Sequence, residues 1–182
     1  MPDARPRTAP RVRLDPLTVD DAAAMAALLA GDRAAVMNTA TIPWPCTAES
    51  MRDWVAARLD ITRQFAVRAT ADGRFVGSVS VRDAGEIGVP SAGKGAVIGY
   101  WTGAPFRGQG LTGEAVALLL DLLRAEVRAV GWTEAIADIF IENAASRRLV
   151  ERLGFAFDTE FTSNLPQRGG LRTSVRYRLP LP

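Results

Sequence analysis

Residues 98–123 read IGYWTGAPFRGQGLTGEAVALLLDLL, and this stretch decides the fold. The apolar run from Ala96 to Trp101 predicts a buried strand. Glycines follow within residues 107–113, and then a long helical pattern places leucines 118, 119, 122 and 123 on one face. A strand, a glycine-containing turn and a helix start predict an anion-binding site, because unpaired backbone N–H groups and the positive end of the helix dipole meet there.

Two nucleotide-binding fingerprints are incomplete at this turn. A P-loop requires Lys and then Ser or Thr after the last glycine, whereas Gly113 is followed by Glu114. Gly108, Gly110 and Gly113 do fit the G-x-G-x-x-G spacing of dinucleotide-binding proteins. That fingerprint also needs an acidic residue at a strand end about twenty positions later, and the nearest candidate, Asp138, lies inside a strand pattern.

Length and composition indicate one ordinary globular domain. The chain has 182 residues, 48% of them hydrophobic, with a net charge of +2. The basic residues are scattered apart from an N-terminal cluster, formed by Arg5, Arg7, Arg11 and Arg13. We interpret this cluster as a solvated tail rather than a nucleic-acid-binding arm. We predict that residues 1–10 are disordered and that residues 11–182 form a single domain.

The cysteine and histidine content excludes several classes of site. Cys46 is the single cysteine, so an internal disulfide is excluded, and the chain contains no histidine. A His-based catalytic triad and the usual zinc sites are therefore excluded, and no histidine can activate Cys46 as a nucleophile. No apolar run approaches the ~20 residues of a membrane-spanning helix, and no secretory signal is present. We predict a cytoplasmic protein.

Hydrophobic periodicity and turn residues predict the remaining elements. Strands are predicted at 12–16, 65–69, 75–81, 96–101, 133–141, from 155 and at 173–179, and helices at 18–30, 47–59, after residue 113 and at 143–153. Gly77 inside a strand predicts a bulge or a close backbone neighbour. Residues 83–95 and 163–170 are predicted as a surface loop and a flexible turn. This order predicts an α/β (α+β) fold with a single mixed, mostly antiparallel sheet of about seven strands and about four helices.

A second motif follows the central helix. Residues 141–155 read IENAASRRLVERLGF, with Asn143-x-x-Ser146, a short helix and then Leu-Gly-Phe. Together with residues 107–112, which fit the signature [Gln/Arg]-x-x-Gly-x-[Gly/Ala] except at Thr112, this motif resembles the GNAT superfamily of N-acetyltransferases. The resemblance is to its RimJ/RimL-like branch, the ribosomal-protein N-terminal acetyltransferase type, and it covers about Val12 to Leu179.

The resemblance implies where a cofactor would lie. In a GNAT-like fold the strands at 96–101 and 133–141 are parallel neighbours that splay apart and hold the pantetheine arm of acetyl-CoA, with its pyrophosphate at residues 107–113. The implied cofactor-binding residues are Tyr100, Trp101, Thr102, Arg107, Gly108, Gln109, Gly110, Leu111, Thr112, Gly113, Asn143 and Arg147. Arg148 is an alternative to Arg147 for the 3′-phosphate. Acetyl-CoA is the implied acyl donor, with no metal.

The resemblance also implies catalytic residues. The serine of Asn-x-x-Ser, here Ser146, is a proposed proton donor to the departing thiolate, and the alternative is a helix-start serine bonded to local backbone. The family's general-base glutamate aligns with Leu165. Glu160 is the nearby catalytic candidate, although it can face away from the site, and Glu86 lies in a loop that does not align. Glu114 at the helix start is interpreted as a carboxylate that stabilises the helix dipole.

The preferred hypothesis is an acetyl-CoA-dependent N-acetyltransferase that acts by direct attack in a ternary complex. The acceptor is a primary amine, either a protein N-terminal α-amine or a small-molecule amine. Trp44, beside two prolines, is a candidate wall of the acceptor site or a core aromatic under a loop. The alternative hypothesis is a non-catalytic acyl-CoA-binding or regulatory module, motivated by Leu165. We expect no specific nucleic-acid binding and no membrane partner, and the sequence leaves a homodimer and a longer acyl-CoA open.

Overall fold

A seven-stranded mixed sheet forms the centre of the structure, a computed structural model that describes residues 9–59 and 62–182. The strands are β1 (Val12–Pro16), β2 (Arg63–Ala69), β3 (Phe75–Asp83), β4 (Lys94–Thr102), β5 (Trp132–Phe140), β6 (Ala156–Leu165) and β7 (Gly170–Pro180). The helices found in these two ranges are α1 (Ala22–Leu29), α2 (Arg33–Met37), α3 (Ala48–Ala56), α4 (Leu111–Val130) and α5 (Ala144–Arg152), with four short 3₁₀ turns. The predicted fold class is confirmed, with five α-helices in place of four.

The sheet opens between its two parallel strands. Its order is β1-β2-β3-β4-β5-β7-β6, and every neighbouring pair is antiparallel except β4 and β5. These two strands pair only from Lys94 to Val97 on the β4 side, although β4 continues to Thr102 and β5 to Phe140. The carboxyl halves of the strands therefore diverge, which confirms the predicted splayed pair. Helices α4 and α5 begin just beyond this gap.

Helix α4 buries one face against the sheet. The buried residues of this helix are Leu111, Ala115, Val116, Leu119, Leu120 and Leu123. They recur at three- and four-residue intervals, which is the spacing of one helical face. The prediction had centred that face on four leucines, of which Leu118 and Leu122 are only partly buried. The buried stripe is centred on residues 115, 116, 119, 120 and 123, so Leu118 and Leu122 lie at its edge.

Helices α1, α2 and α3 cover the opposite face of the sheet at the β2–β4 end. Met25, Leu29 and Met51 are buried there against Phe75 and Trp101. The sequence missed α2, because Gly31 reads as a helix stop. Asp32 instead starts a new helix, since its Oδ1 accepts a hydrogen bond from the backbone N–H of Ala35 at 3.0 Å. Helix α3 ends at Ala56, three residues before the predicted end.

The β6–β7 connection is shorter and more firmly held than the flexible turn predicted at residues 163–170. Both strands extend into it, and only a 3₁₀ turn, Pro166–Arg168, joins them. The buried Arg168 guanidinium donates to the carbonyl oxygens of Thr39 and, at 2.6 Å, Ile42. This arginine therefore ties the turn to the loop between α2 and α3.

Two of the four N-terminal arginines, Arg11 and Arg13, lie within the described residues. Arg11 pairs with Glu114, and Arg13 pairs with Asp15 at 3.1 Å. Arg5 and Arg7 lie outside the described residues, as does most of the tail predicted as disordered. Pro10, also placed in that tail, accepts a hydrogen bond from Thr70 at 3.1 Å. The single domain from residue 11 stays a prediction.

None of the helices within 9–59 and 62–182 is long and apolar enough to cross a membrane.

Candidate active site

A cavity of about 910 Å³ occupies the gap between β4 and β5. The turn before α4 and the first turns of α5 form one end of it. The other end lies between the β2–β4 face of the sheet and the segments that contain α2 and α3. The predicted cofactor strands and the predicted anion-binding turn therefore lie on one continuous cavity.

The turn before α4 has the conformation that an anion-binding site requires. Gly108 and Gly110 have φ angles of +72° and +79°, a region that favours glycine, and Gly110 is the N-cap of α4. The first intrahelical bond runs from the N–H of Glu114 to the carbonyl of Gly110, at 3.2 Å. The N–H groups of the preceding helical residues therefore have no intrahelical acceptor. This geometry supports the predicted binding of an anion at the helix start.

Thr112 departs from the small apolar residue of the family signature, and the structure shows its contact. Its hydroxyl lies 2.7 Å from the hydroxyl of Thr102, the last residue of β4. The pair joins the end of the strand to the first turn of the helix. Leu111 is only 7% exposed and packs in the core, so only its backbone can serve a ligand. The Gln109 side chain donates to the carbonyl of Pro105 and does not line the cavity.

Arg107 is held at the rim of the cavity. Its Nε donates to the carbonyl of Thr102 at 2.9 Å, and its NH2 lies 2.5 Å from Oδ2 of Asp32. Burial alone raises the pKa of the Asp32 carboxyl, but hydrogen bonds from Ala35 and Arg107, together with the arginine charge, outweigh burial and lower that pKa. Arg107 therefore links α2 to the turn, and its own charge is partly balanced.

The start of α5 forms the facing wall. Asn143 is the N-cap, as predicted, and its Oδ1 accepts from the N–H of Ser146 at 3.2 Å. Both residues line the cavity. The Ser146 hydroxyl makes no hydrogen bond to any residue that the structure describes, so it is not a helix-start serine whose hydroxyl is consumed by local backbone.

A family comparison identifies this arrangement. Residues 11–156 match the acetyltransferase (GNAT) domain family. The chain belongs to the GNAT acetyltransferase family. Its glycine turn, splayed strands and Asn-x-x-Ser helix lie where the sequence resemblance implied.

Solved structures share the fold over nearly the whole chain. A RimL ribosomal L7/L12 alpha-N-protein acetyltransferase in complex with coenzyme A is 17% identical, with 95% of this chain and 96% of that chain covered and a TM-score of 0.73. Mycobacterium smegmatis RimJ in complex with CoA-disulfide is 23% identical, with 93% and 81% covered and a TM-score of 0.71. The microcin C7 self-immunity acetyltransferase MccE, in complex with acetyl-CoA and AMP, is 16% identical, with 94% and 93% covered and a TM-score of 0.73. A comparison with curated protein sequences found no match.

In this GNAT domain the backbone of β4 offers free groups to the gap. Hydrogen bonds alternate along an antiparallel pair, and Gly103 donates to Val76 while Ala84 donates to Gly95. In this register the N–H groups of residues 97, 99 and 101 point to β3. Those of Ile98, Tyr100 and Thr102 then point to β5, which has already diverged. An extended ligand in the gap therefore meets unpaired strand backbone.

Tyr100 lines the cavity between β4 and the start of α5. Its hydroxyl donates to the carbonyl oxygen of Ser146 at 3.4 Å. Burial raises the pKa of Tyr100 to about 12, so this residue is a hydrogen-bond donor and not a base at neutral pH. Trp101 lines the cavity as well, and its buried indole Nε1 has no partner among residues 9–59 and 62–182.

The raised pKa of Tyr100 predicts a stability loss at alkaline pH. A pKa that rises from 10.0 to about 12 on folding contributes stability that is full below pH 10 and is lost as pH rises to 12. We expect a loss of about 2.7 kcal/mol over that window, since each pKa unit is worth ~1.36 kcal/mol. Denaturant unfolding from pH 9 to 12 should show this loss in the parent and not in Tyr100→Phe. An identical pH dependence in both proteins would contradict the assignment.

The arginines of α5 are placed differently from the prediction. Arg147, predicted to contact the cofactor, turns towards β7, where its Nε donates to the Tyr177 hydroxyl at 3.1 Å. It does not line the cavity, whereas Arg148 and Arg152 do. Arg148 and Arg152 are one helical turn apart and share the face that looks into the cavity. Of the two arginines named from the sequence, Arg148 is therefore the one that lies on the cavity.

No unpaired carboxylate lines the described part of the cavity. Glu160 is exposed on β6 and is not among the cavity-lining residues, while Phe161 and Leu165 of the same strand are. Glu114 accepts a hydrogen bond from the Arg11 side chain and lies outside the cavity lining. This placement agrees with its interpretation as a carboxylate that stabilises the helix. Asp138, which the sequence had not assigned to the site, does line the cavity. Both its oxygens accept from the guanidinium of Arg176, at 2.7 and 2.8 Å.

The tryptophan that lines the α3 end of the cavity is Trp54, whereas Trp44, the candidate wall of the acceptor site or core aromatic, lies outside the lining. Trp44 is 38% exposed and does not line the cavity. Trp54 does, and its indole Nε1 donates to the carbonyl of Thr41 at 2.8 Å. Cys46 is buried beneath the same loop, where its thiol donates to Pro43. Burial raises the pKa of this thiol, which agrees with its exclusion as a nucleophile.

Proposed function

We propose that this GNAT domain is an acetyl-CoA-dependent N-acetyltransferase that moves an acetyl group directly to a primary amine. The observation that carries the proposal is the continuity of one cavity. It joins the anion-binding turn at Gly108 and Gly110, the gap beside β4, and a second chamber against α3. A thioester at the end of the gap would therefore face an acceptor that enters from the second chamber.

The cofactor is assigned to the turn and the gap. The pyrophosphate would accept hydrogen bonds from the first N–H groups of α4, and the pantetheine arm would pair with the free backbone of β4. Arg148 and Arg152 are the cations on the α5 face that could bind the 3′-phosphate. Arg107 contributes positive charge at the rim despite its pairing with Asp32.

The proposed reaction is acyl transfer from a thioester to an amine. The amine nitrogen attacks the carbonyl carbon, so that a C–N bond forms and the C–S bond breaks. A β4 backbone N–H that faces the gap, at Tyr100 or Thr102, would stabilise the developing oxyanion. The Ser146 hydroxyl, which has no partner in the described chain, would give its proton to the thiolate.

The acceptor must be neutral when it attacks, because a protonated amine has no lone pair. Free α-amines titrate at about 8 and lysine amines at about 10.4. Since Asp138 is bound by Arg176 and Leu165 replaces the family glutamate, the proton would leave through water. The lack of an unpaired carboxylate in the described part of the cavity also favours a second candidate function, a non-catalytic acyl-CoA-binding or regulatory module.

The acceptor class stays open between a protein N-terminus and a small amine. RimL is described as a ribosomal L7/L12 alpha-N-protein acetyltransferase, and MccE is described in complex with acetyl-CoA and AMP. A protein acceptor therefore has a precedent in this fold, as has the binding of a second small molecule together with acetyl-CoA. The cytoplasmic location stays a prediction.

Cofactor binding is tested by thermal unfolding with acetyl-CoA, with NAD as the control nucleotide. A ligand at a hundred times its Kd stabilises by about 2.7 kcal/mol, so acetyl-CoA should raise the melting temperature clearly and NAD should not. An equal response to both nucleotides, or none to acetyl-CoA, would contradict the proposed cofactor.

Turnover is tested by release of free CoA thiol across a panel of primary amines. Ser146→Ala is expected to lower kcat about 100-fold or more, because a positioned proton donor is lost, while acetyl-CoA still stabilises the variant. Clear acetyl-CoA binding without thiol release for any amine would favour the non-catalytic module instead.

A further inference from the structure

The second chamber of the cavity, which lies against α3 and is called the acceptor chamber below, has a polar wall along β3. The proposed catalysis does not use this wall. Along β3, Val79 and Val81 pack into the core under α4, while Ser78, Ser80 and Arg82 line the cavity on the other face. This alternation is that of a strand with one face buried in the core and the other face accessible to water. In this strand the wetted face looks into the chamber and not out to bulk solvent.

Two arginines in this chamber, Arg58 and Arg82, have no acidic partner among residues 9–59 and 62–182. The side chain of Arg82 makes no hydrogen bond or ion pair with any residue in 9–59 or 62–182. Arg58, two residues after the end of α3, donates to the carbonyl of Trp54 at 3.2 Å, and its guanidinium lies 4.5 Å above the Trp54 ring. The neighbouring Asp83 pairs with Lys94 at 3.4 Å and is not part of the cavity wall. Both arginines line the cavity, and neither forms an ion pair with a carboxylate in the described part of the chain.

The two arginine charges are close enough to affect each other. Burial lowers the pKa of Arg82. Burial also lowers the pKa of Arg58, and the positive charge of Arg82 lowers it further. Two like charges in a partly dehydrated chamber repel, and an anion bound between them would relieve that repulsion.

A third donor points to the same kind of ligand. Gln64 lies on β2 opposite Ser80, lines the cavity and is only 8% exposed. Its Nε2 is fully buried and has no hydrogen-bond partner among the described residues. A buried amide donor without an acceptor is costly, so such groups in native proteins usually have a partner. A ligand oxygen in the chamber would supply one.

We propose that the acceptor amine carries an anionic group, a carboxylate or a phosphate, which binds between Arg58 and Arg82 with Gln64 as a further donor. This inference rests on the proposed acetyl transfer.

The test compares acceptors in matched pairs that differ only in the anion. The pairs are 4-aminobutanoate with 4-aminobutan-1-ol, O-phosphoethanolamine with ethanolamine, and a short peptide with Ala-Glu at its N-terminus with its Ala-Gln counterpart. For at least one pair, kcat/KM is expected to be about 10- to 100-fold higher for the anionic member, the range of a charge-assisted hydrogen bond. The pair that responds distinguishes a carboxylate, a phosphate and an acidic peptide.

Variants assign that preference to the chamber. Arg82→Gln should bring the ratio within the responding pair close to one, and Arg82→Lys should keep part of it, while acetyl-CoA still raises the melting temperature of both. Arg128→Gln is the matched control, since Arg128 is exposed near the end of α4 and outside the cavity. It should leave the ratio unchanged.

The outcomes separate this inference from the proposed function. Turnover with equal preference for neutral and anionic amines would overturn the anion site and keep the acetyltransferase. If no amine is acetylated, calorimetric titration of 4-aminobutanoate and O-phosphoethanolamine into the CoA complex decides the matter. Binding that Arg82→Gln abolishes supports the site, and the absence of arginine-dependent binding overturns it.

Discussion

A Gly77→Ala variant is expected to lose about 3 kcal/mol or more of its free energy of unfolding, the upper end of the cost of overpacking a core. A Cβ at residue 77 would lie 2.1 Å from the carbonyl oxygen of Trp101 and 2.9 Å from the Cα of Thr102. Both atoms belong to the backbone of β4, so no side-chain rotation can relieve the contact. The strands would have to separate, although Gly103 and Val76 are hydrogen-bonded beside them at 2.9 Å.

Denaturant unfolding at neutral pH measures this effect, with Gly31→Ala as the matched control. A Cβ at Gly31 meets no atom within 4 Å, and its φ is not in the left-handed region. We expect the control to stay within about 0.5 kcal/mol of the parent, as surface substitutions usually do. A Gly77→Ala protein as stable as the control would show that β3 and β4 do not approach as closely as described.

Gly77 also shows what the sequence could predict. A glycine inside an apolar strand indicates a bulge or a close backbone neighbour, and the structure has both. The register between β2 and β3 shifts at Val67 and Arg68, beside the contact with Trp101. The anion-binding turn and the Asn143 cap were predicted for the same reason. Each is a local pattern whose geometry depends on a few consecutive residues.

The direction of side chains was predicted less well, because it depends on helix phase and loop path. Arg147 and Arg148 are adjacent, yet only Arg148 faces the cavity. Residues 145, 148, 149 and 152 recur at helical spacing and all line the cavity, so their periodicity could have selected Arg148. For Trp44 and Trp54 no such signal exists, since the path of the loop before α3 depends on the contacts of Arg168 with residues 39 and 42.

The polar face of β3 could have been recognised from sequence, but not its partner arginine. Ser78, Ser80 and Arg82 alternate with two valines, which predicts one polar and one apolar face. A polar strand face usually means solvent. Only the packing of α3 over the sheet places Arg58 above it and turns a wetted face into the wall of a chamber.

A Gly110→Val variant is expected to bind acetyl-CoA about 100-fold more weakly, a loss of about 2.7 kcal/mol. Gly110 caps α4 at φ +79°, and a β-branched residue is an outlier in that region. The turn would have to change conformation to accept valine, and the N–H groups at the start of α4 would no longer converge. A side chain at this position would also hold an anion away from those amides.

Gly131→Val is the matched control, because it imposes the same backbone strain at the other end of the same helix. Gly131 is the C-cap of α4 with φ +83°, and a Cβ there meets no atom within 4 Å. Left-handed strain should cost each variant about 1–2 kcal/mol of stability. Calorimetric titration with acetyl-CoA should then separate them, since only Gly110 lies on the cavity. Both variants strain a cap of the same helix, and they differ in which end of the helix is changed. An equal loss of affinity in both would therefore mean that helix stability, and not the turn, controls cofactor binding.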